Sequence, residues 1–267
     1  MIPILKPLFQ GQLAALGERL DLTPELPSGT VRISDLIESE ALLTDALQRH
    51  AGFWHSDGVD MRPIASAWAL QYAGILLPPA AAAASVLQHE FPMAADEVWV
   101  RLDQSGNPIR FHIRQPGTTR RGASTALRYE ALLDRHLAPL FDALARLTRV
   151  SRKILWGSVS RNLEPVLEQA IALTGGSPAL EQDRHHLLCS PTWPLDGAAP
   201  RTNPLFGTRR VVQRLRDGRE MSIRLHRQCC LYHLLPAEGY CGACPLDPAH
   251  RKRAPDAMGA AADVPEA

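Results

Sequence analysis

Four of the five cysteines in this chain fall within residues 229–245, CCLYHLLPAEGYCGACP. Cys229 and Cys230 are adjacent, and Cys241 and Cys244 form a C-x-x-C pair. Thiols gathered so closely suit a single tetrahedral zinc, or iron in a sulfide cluster in which each iron takes two cysteines. A zinc site made from two cysteine pairs normally uses two chelating turns, and only Cys241-Gly242-Ala243-Cys244 has that form. Neighbouring side chains of an extended chain point to opposite faces, so Cys229 and Cys230 reach one ion only across a sharp turn. A wider [2Fe-2S] rhomb accepts divergent ligands, so the spacing leans to iron and leaves zinc open. The fifth thiol, Cys189 in HHLLCSP, reads as a small buried apolar side chain, and His185 and His186 beside it read as surface residues.

The residues around the thiols add to this reading. Leu231, Tyr232, Leu234 and Leu235 are placed to keep water from the sulfurs, and the amides of the Gly242 turn are placed to donate to them. From Arg209 to Arg253 ten basic residues stand against four acidic ones, a local charge of +6 in a chain whose formal charge is only +1. The near-neutral whole excludes a global field for nucleic acid, while the local patch suits an anionic partner or a solvated surface. No G-x-G-x-x-G or G-x-x-x-x-G-K-[ST] segment is present, so electrons for any redox centre are expected from a separate donor protein. The opening MIPILKPLFQ lacks the basic and apolar regions of a signal peptide, which sets the expectation of a cytoplasmic protein, where clustered thiols serve metals rather than disulfides.

The elements that must carry the thiols can be read from periodicity. Residues 35–50 predict a helix with Leu36, Leu43 and Leu47 on one face. Residues 64–87 are uncharged over a length that could span a bilayer. Pro78-Pro79 predicts two buried helices there instead, with peripheral contact to the inner membrane face left open. Period-two alternation in EVWVRLDQSGNPIRFHIR predicts a β-hairpin with an apolar face and a solvated basic face that includes Arg110, His112 and Arg114. Helical spacing returns over 126–174, with new helices or kinks at Pro139 and Pro165 and a stop at Gly175-Gly176. Residues 190–207 read as a connection, and VVQRLRDGREMSIRL as a second hairpin turning at Asp217-Gly218. The expected class is α+β, helix-dominated. The expected division is an N-terminal helical region at 1–58, a main domain at 59–207, a cysteine segment at 208–248 and a disordered tail at 249–267.

The cysteine segment resembles the C-terminal signature of ferric siderophore reductases of the FhuF type, C-C-x10-C-x2-C, including Leu231-Tyr232 and Pro245. Leu155-Trp156-Gly157 with Val159, and Asn203-Pro204-Leu205, resemble two further stretches of that family, although Ser158 stands where the family usually has Asn. The resemblance implies one [2Fe-2S] cluster on Cys229, Cys230, Cys241 and Cys244, and reduction of imported ferric siderophores, hydroxamates foremost. From the missing nucleotide motifs and the near-neutral charge, an external donor such as a ferredoxin or a ferredoxin reductase is expected, and no nucleic-acid partner. Trp156, Arg110, His112, Arg114, Arg224 and His226 are candidates for contacting the chelate. The alternative is a non-enzymatic siderophore-binding or assembly module with a structural zinc or cluster.

Overall fold

The computed structural model describes residues 1–195, 198–216 and 219–250. Its helices are α1 (Ala14–Gly17), α2 (Ile33–Glu38), α3 (Glu40–Phe53), α4 (Met61–Val86), α5 (Thr125–Leu132), α6 (Ala138–Thr148), α7 (Arg152–Leu173) and α8 (Pro178–Arg184). Its strands are β1 (Leu20–Leu22), β2 (Thr30–Arg32), β3 (His89–Glu90), β4 (Val98–Leu102), β5 (Pro108–Ile113), β6 (Thr118–Thr119), β7 (Thr192–Leu195), β8 (Ala198–Thr202), β9 (Val211–Arg216) and β10 (Arg219–Arg224). This is the helix-dominated α+β class expected.

The core is built around α4, which is buried almost throughout. It runs as one helix through Pro78 and Pro79 rather than breaking there. Two prolines forfeit two intrahelical hydrogen bonds, but both are buried against neighbouring elements, and tertiary packing outweighs local propensity. The helix therefore lies inside the protein despite being long and apolar enough to cross a membrane. Against it lies α7, with Asn162 Nδ2 donating to the Leu70 and Ser158 carbonyls. Pro165 does not interrupt α7, and the break comes earlier, at Arg149, whose φ of 60° ends α6. The predicted helix over 35–50 divides at Ser39, which caps α3 by accepting from the Leu42 N–H at 3.3 Å.

One face of α4 carries a four-stranded sheet of order β1-β5-β4-β2, in which the predicted hairpin is central. Val98, Val100, Phe111 and Ile113 are fully buried, as period two requires. A register shift at Arg101/Leu102 pairs Leu102 with Pro108 and takes Ile109 out of the apolar row. The opposite face is solvated at Arg101, Arg110 and Arg114, as expected, but not at His112, which is buried, and Arg110 forms an ion pair with Asp21 of β1 at 2.7 Å. Residues 192–202 form a hairpin where a connection was expected, because Trp193 inserts against Trp156 and donates to the His186 carbonyl. Cys189 is exposed rather than buried, and His186 stacks on Trp193 while His185 is exposed. The second hairpin, β9-β10, is antiparallel as expected; its Asp217-Gly218 turn lies outside the described residues. Its apolar face is only partly used, with Val211 and Met221 exposed and Leu225 buried.

A buried histidine makes the core sensitive to acid. His136 sits at the α5–α6 junction, donating from Nδ1 to the Met93 carbonyl at 2.8 Å and accepting from the Tyr72 hydroxyl. Burial pushes its pKa from 6.5 down to about 4. The unfolded chain takes up a proton near 6.5 that the folded chain refuses until about 4, so stability falls as pH drops through that window and is unaffected above it. Denaturant unfolding should show a slope of up to ~1.4 kcal/mol per pH unit from this residue. His136→Asn should flatten it, and an unchanged slope would locate the acid sensitivity elsewhere.

Candidate metal centre

The route into the thiol segment is set by one face of α7. Gly157, Arg161, Glu164 and Glu168 follow one another at spacings of four, three and four residues, which places them in line along the helix. Each meets the C-terminal segment. A Cβ on Gly157 would stand 2.7 Å from the Gln228 Cβ, so glycine is what lets the chain pass. Arg161 Nη2 lies 4.0 Å from the Cys241 sulfur. Glu164, buried, pairs with Arg209 at 2.6 Å and Arg227 at 2.7 Å. Glu168 pairs with Arg224 at 2.7 Å.

From the other side α4 holds the same segment, with Ser66 Oγ donating to the Cys230 carbonyl at 2.8 Å. Leu235 packs against Ala51, Ile64 and Ala67, and Tyr232 meets Trp54 edge-on at 5.2 Å. Of the side chains expected to shield the sulfurs, Leu235 is buried and Leu234 is exposed.

The sharp turn that the adjacent cysteines demand is present. Leu231 has a φ of 59°, a left-handed conformation unusual for a residue with a branched side chain. It reverses the backbone so that the Leu231 N–H donates to the Cys229 sulfur at 3.3 Å. The amide donor seen thus follows the cysteine pair, whereas the Cys241–Cys244 turn closes on itself, Cys244 N–H to Cys241 carbonyl at 2.9 Å. His226 N–H donates to the Ala243 carbonyl at 2.9 Å, and His250 Nδ1 to the Cys244 carbonyl at 2.8 Å. His250 is buried, so the folded segment extends past residue 248, where disorder was expected to begin; residues 251–267 lie outside the described residues.

The four thiols are gathered as two pairs. Cys229 and Cys244 stand 3.7 Å apart sulfur to sulfur, and Cys230 and Cys241 are close enough to shift each other's titration in opposite directions. Cys229, Cys230 and Cys244 are buried and Cys241 is half-buried. The Cys230 thiol is held well below the usual thiol range, first by the bond with Cys241 and then by the Arg161 guanidinium. Cys241 moves up in consequence, and burial pushes Cys229 up. Four thiols on one short segment, with an amide donor and a cation beside them, are the donor set that a cluster placing two cysteines on each iron takes.

Residues 66–223 match the family described as ferric iron reductase FhuF-like transporter, more than half of the chain. The chain belongs to the FhuF family. Residues 227–246 match the FhuF 2Fe-2S C-terminal domain, so the cofactor of the thiol segment is a [2Fe-2S] cluster. A relative from Escherichia coli K12, named ferric siderophore reductase, is 26% identical over 188 residues, which cover 69% of this chain and 66% of that protein, just under two thirds of its length. Among solved structures, ATP-bound aerobactin synthetase IucA from Klebsiella pneumoniae shares the fold at a TM-score of 0.54 and 15% identity, over 67% of this chain and 37% of the synthetase. A second structure of that synthetase gives 0.52 at the same identity, over 67% of this chain and 38% of its own.

The FhuF fold distributes the remaining candidates unevenly. Trp156 is a core residue, edge-on to Phe141 at 5.1 Å and to Trp193 at 6.4 Å, not a free aromatic surface. Arg110 and His112 lie on β5 and Arg114 directly after it, and among the described residues no hydrogen bond or ion pair joins them to the thiol segment. Arg224 is committed to Glu164 and Glu168. His226 does lie at the centre, half-buried, its pKa lowered to about 4 by burial and by Arg161 and Arg209. The basic segment is also less free than its composition implied. Arg209, Arg224 and Arg227 are ion-paired, and Arg210 and Arg214 donate to the Pro245 and Ala249 carbonyls. The side chains of Arg216 and Arg219, and residues 251–253, lie outside the described residues. Arg161 and Glu164 were missed, and their 4-3-4 spacing from Gly157 was the signal that could have found them.

Proposed function

We propose that this protein reduces the iron of imported ferric siderophores, hydroxamates among them, in the cytoplasm, releasing Fe(II). The reading is carried by four thiols in two pairs within the family's 2Fe-2S segment. Cys229, Cys230, Cys241 and Cys244 hold the cluster, residues 208–248 form the segment that presents it, and residues 59–207 form the domain against which the chelate binds. When bound, the cluster supplies one electron to the chelate. Hard oxygen donors hold Fe(III) strongly and Fe(II) far less, so a single electron loosens the complex.

The chain's own residues decide where that electron leaves. Cys229, Cys230 and Cys244 are buried, whereas Cys241 is half-buried beside exposed Gly242, so the chelate approaches on that side. Tyr240, 44% exposed, stacks on His233 at 4.6 Å and offers an aromatic rim there. The donor is a ferredoxin or a ferredoxin reductase, and contact with the inner membrane face is part of the same proposal. Its docking rests on fewer free arginines than composition implied, because Glu164 and Glu168 hold three of them.

Anaerobically purified protein should hold two irons and two sulfides per chain and bleach with dithionite. The reduced protein should then release iron from a ferric hydroxamate to a ferrous chelator. Zinc without sulfide, or a cluster that never reoxidises on adding ferric hydroxamate, would reject the proposal.

A further inference from the structure

Arg161 is half-buried, and among the described residues no carboxylate lies within ion-pair distance of it. Its neighbours differ in this respect. Arg209, Arg224 and Arg227 share Glu164 and Glu168, which stand one and two turns further along α7. The charged or titratable groups facing Arg161 are the thiols of Cys230 and Cys241, the Tyr232 hydroxyl and the ring of His226, which its positive charge helps to keep neutral. A guanidinium kept partly from water, with sulfur in place of a carboxylate, finds its counter-charge in whatever anion those sulfurs carry.

We propose that Arg161 sets the reduction potential of the cluster by stabilising its reduced, more negative state from the Cys230–Cys241 side. On reduction one electron is gained from a one-electron donor; no bond forms or breaks and no proton moves. A fixed positive charge about 4 Å from a ligating sulfur favours the state with the extra electron, and partial burial limits screening by salt. Its position also matches the exit, since Cys241 is the half-exposed sulfur of the four. Arg161 acts through the cluster and is a positioning charge. The inference rests on the cluster and is independent of which chelate is reduced, so it can stand or fall apart from siderophore reduction.

The test is a potentiometric titration of Arg161→Gln and Arg161→Lys on a mediated electrode, followed by visible absorption, with iron and sulfide counted in each. With a full cluster, Arg161→Gln should lower the reduced-to-oxidised ratio at a fixed potential about tenfold, about 59 mV to the negative for one electron. Arg161→Lys, which retains the charge, should fall short of that shift. A fully loaded Arg161→Gln with an unchanged ratio overturns the proposal, as does an equal shift in both variants. Loss of the cluster from Arg161→Gln while Arg161→Lys retains it assigns the residue to assembly and also overturns it, and so does loss from both.

Discussion

Glu164→Ala should detach the thiol segment from the main domain and be strongly destabilising. Glu164 is 6% exposed and is the shared partner of Arg209 and Arg227. Arg227 is itself 8% exposed at its side chain and is further fixed by donating to the Gly207 carbonyl at 2.9 Å. Removing one member of a buried ion pair leaves the other charge desolvated and uncompensated, which costs about 3–5 kcal/mol. Two stranded arginines place this variant toward the upper end, with the exposed Arg224–Glu168 pair adding little. In a chain of this size the change corresponds to a fall in Tm of roughly 10 °C. Glu164→Gln keeps the shape and one acceptor and should lose less. Thermal unfolding with parallel iron and sulfide analysis decides: a Tm within about 1 °C of the parent and full cluster retention would show that the three arginines do not hold the segment.

The same residues show which parts of the molecule could be read before the structure. The four cysteines and the β4-β5 hairpin depend on spacing within a short stretch, so local pattern was sufficient. The continuous α4 contradicted its own Pro78-Pro79 signal because burial on all sides, a property of the assembled core, compensates for the missing hydrogen bonds. His112 was placed on a solvated face because alternation identifies two faces but not a strand's neighbours; β1, almost 90 residues upstream, pairs with β5 and sets Asp21 beside His112, with Trp99 on its other side. The basic segment misled in the same way. Arg209, Arg224 and Arg227 look like a free docking patch until α7 brings Glu164 and Glu168 against them from about 40 to 60 residues away. The spacing from Gly157 places Arg161 on the face of α7 that meets the thiols, but its lack of a carboxylate partner could not be read, since nothing in the sequence distinguishes a cation without a carboxylate from one that has found it.

Gly157→Ala should disturb the cluster although it lies outside the thiol segment. Substituting Ala for Gly inside an exposed helix stabilises it by about 1 kcal/mol, so propensity alone favours the variant. Packing opposes it. The new Cβ would stand 2.7 Å from the Gln228 Cβ and 3.1 Å from its Cγ, with the Gln228 Cα at 3.9 Å. The nearest atom is fixed to the backbone and no rotamer removes it, so α7 or the bend that leads into Cys229 must move, at about 1–3 kcal/mol for overpacking. The two contributions nearly cancel in overall stability, and Tm should change by only a few degrees. Their geometric consequences do not cancel. Gln228 precedes Cys229 directly, and Arg161 lies one turn beyond Gly157 on the same face, so moving either element shifts two ligands against the cation beside Cys241. Gly157→Ala should therefore retain less iron and sulfide, or show an altered potential, at nearly parental Tm. Gln228→Gly removes the opposing Cβ, and the double variant should regain its cluster while each stability change fails to add. A Gly157→Ala protein with a full, spectroscopically unchanged cluster would mean that the contact is relieved elsewhere; a defect that Gln228→Gly does not rescue would place its cause in the helix itself rather than in the crossing of the two chains.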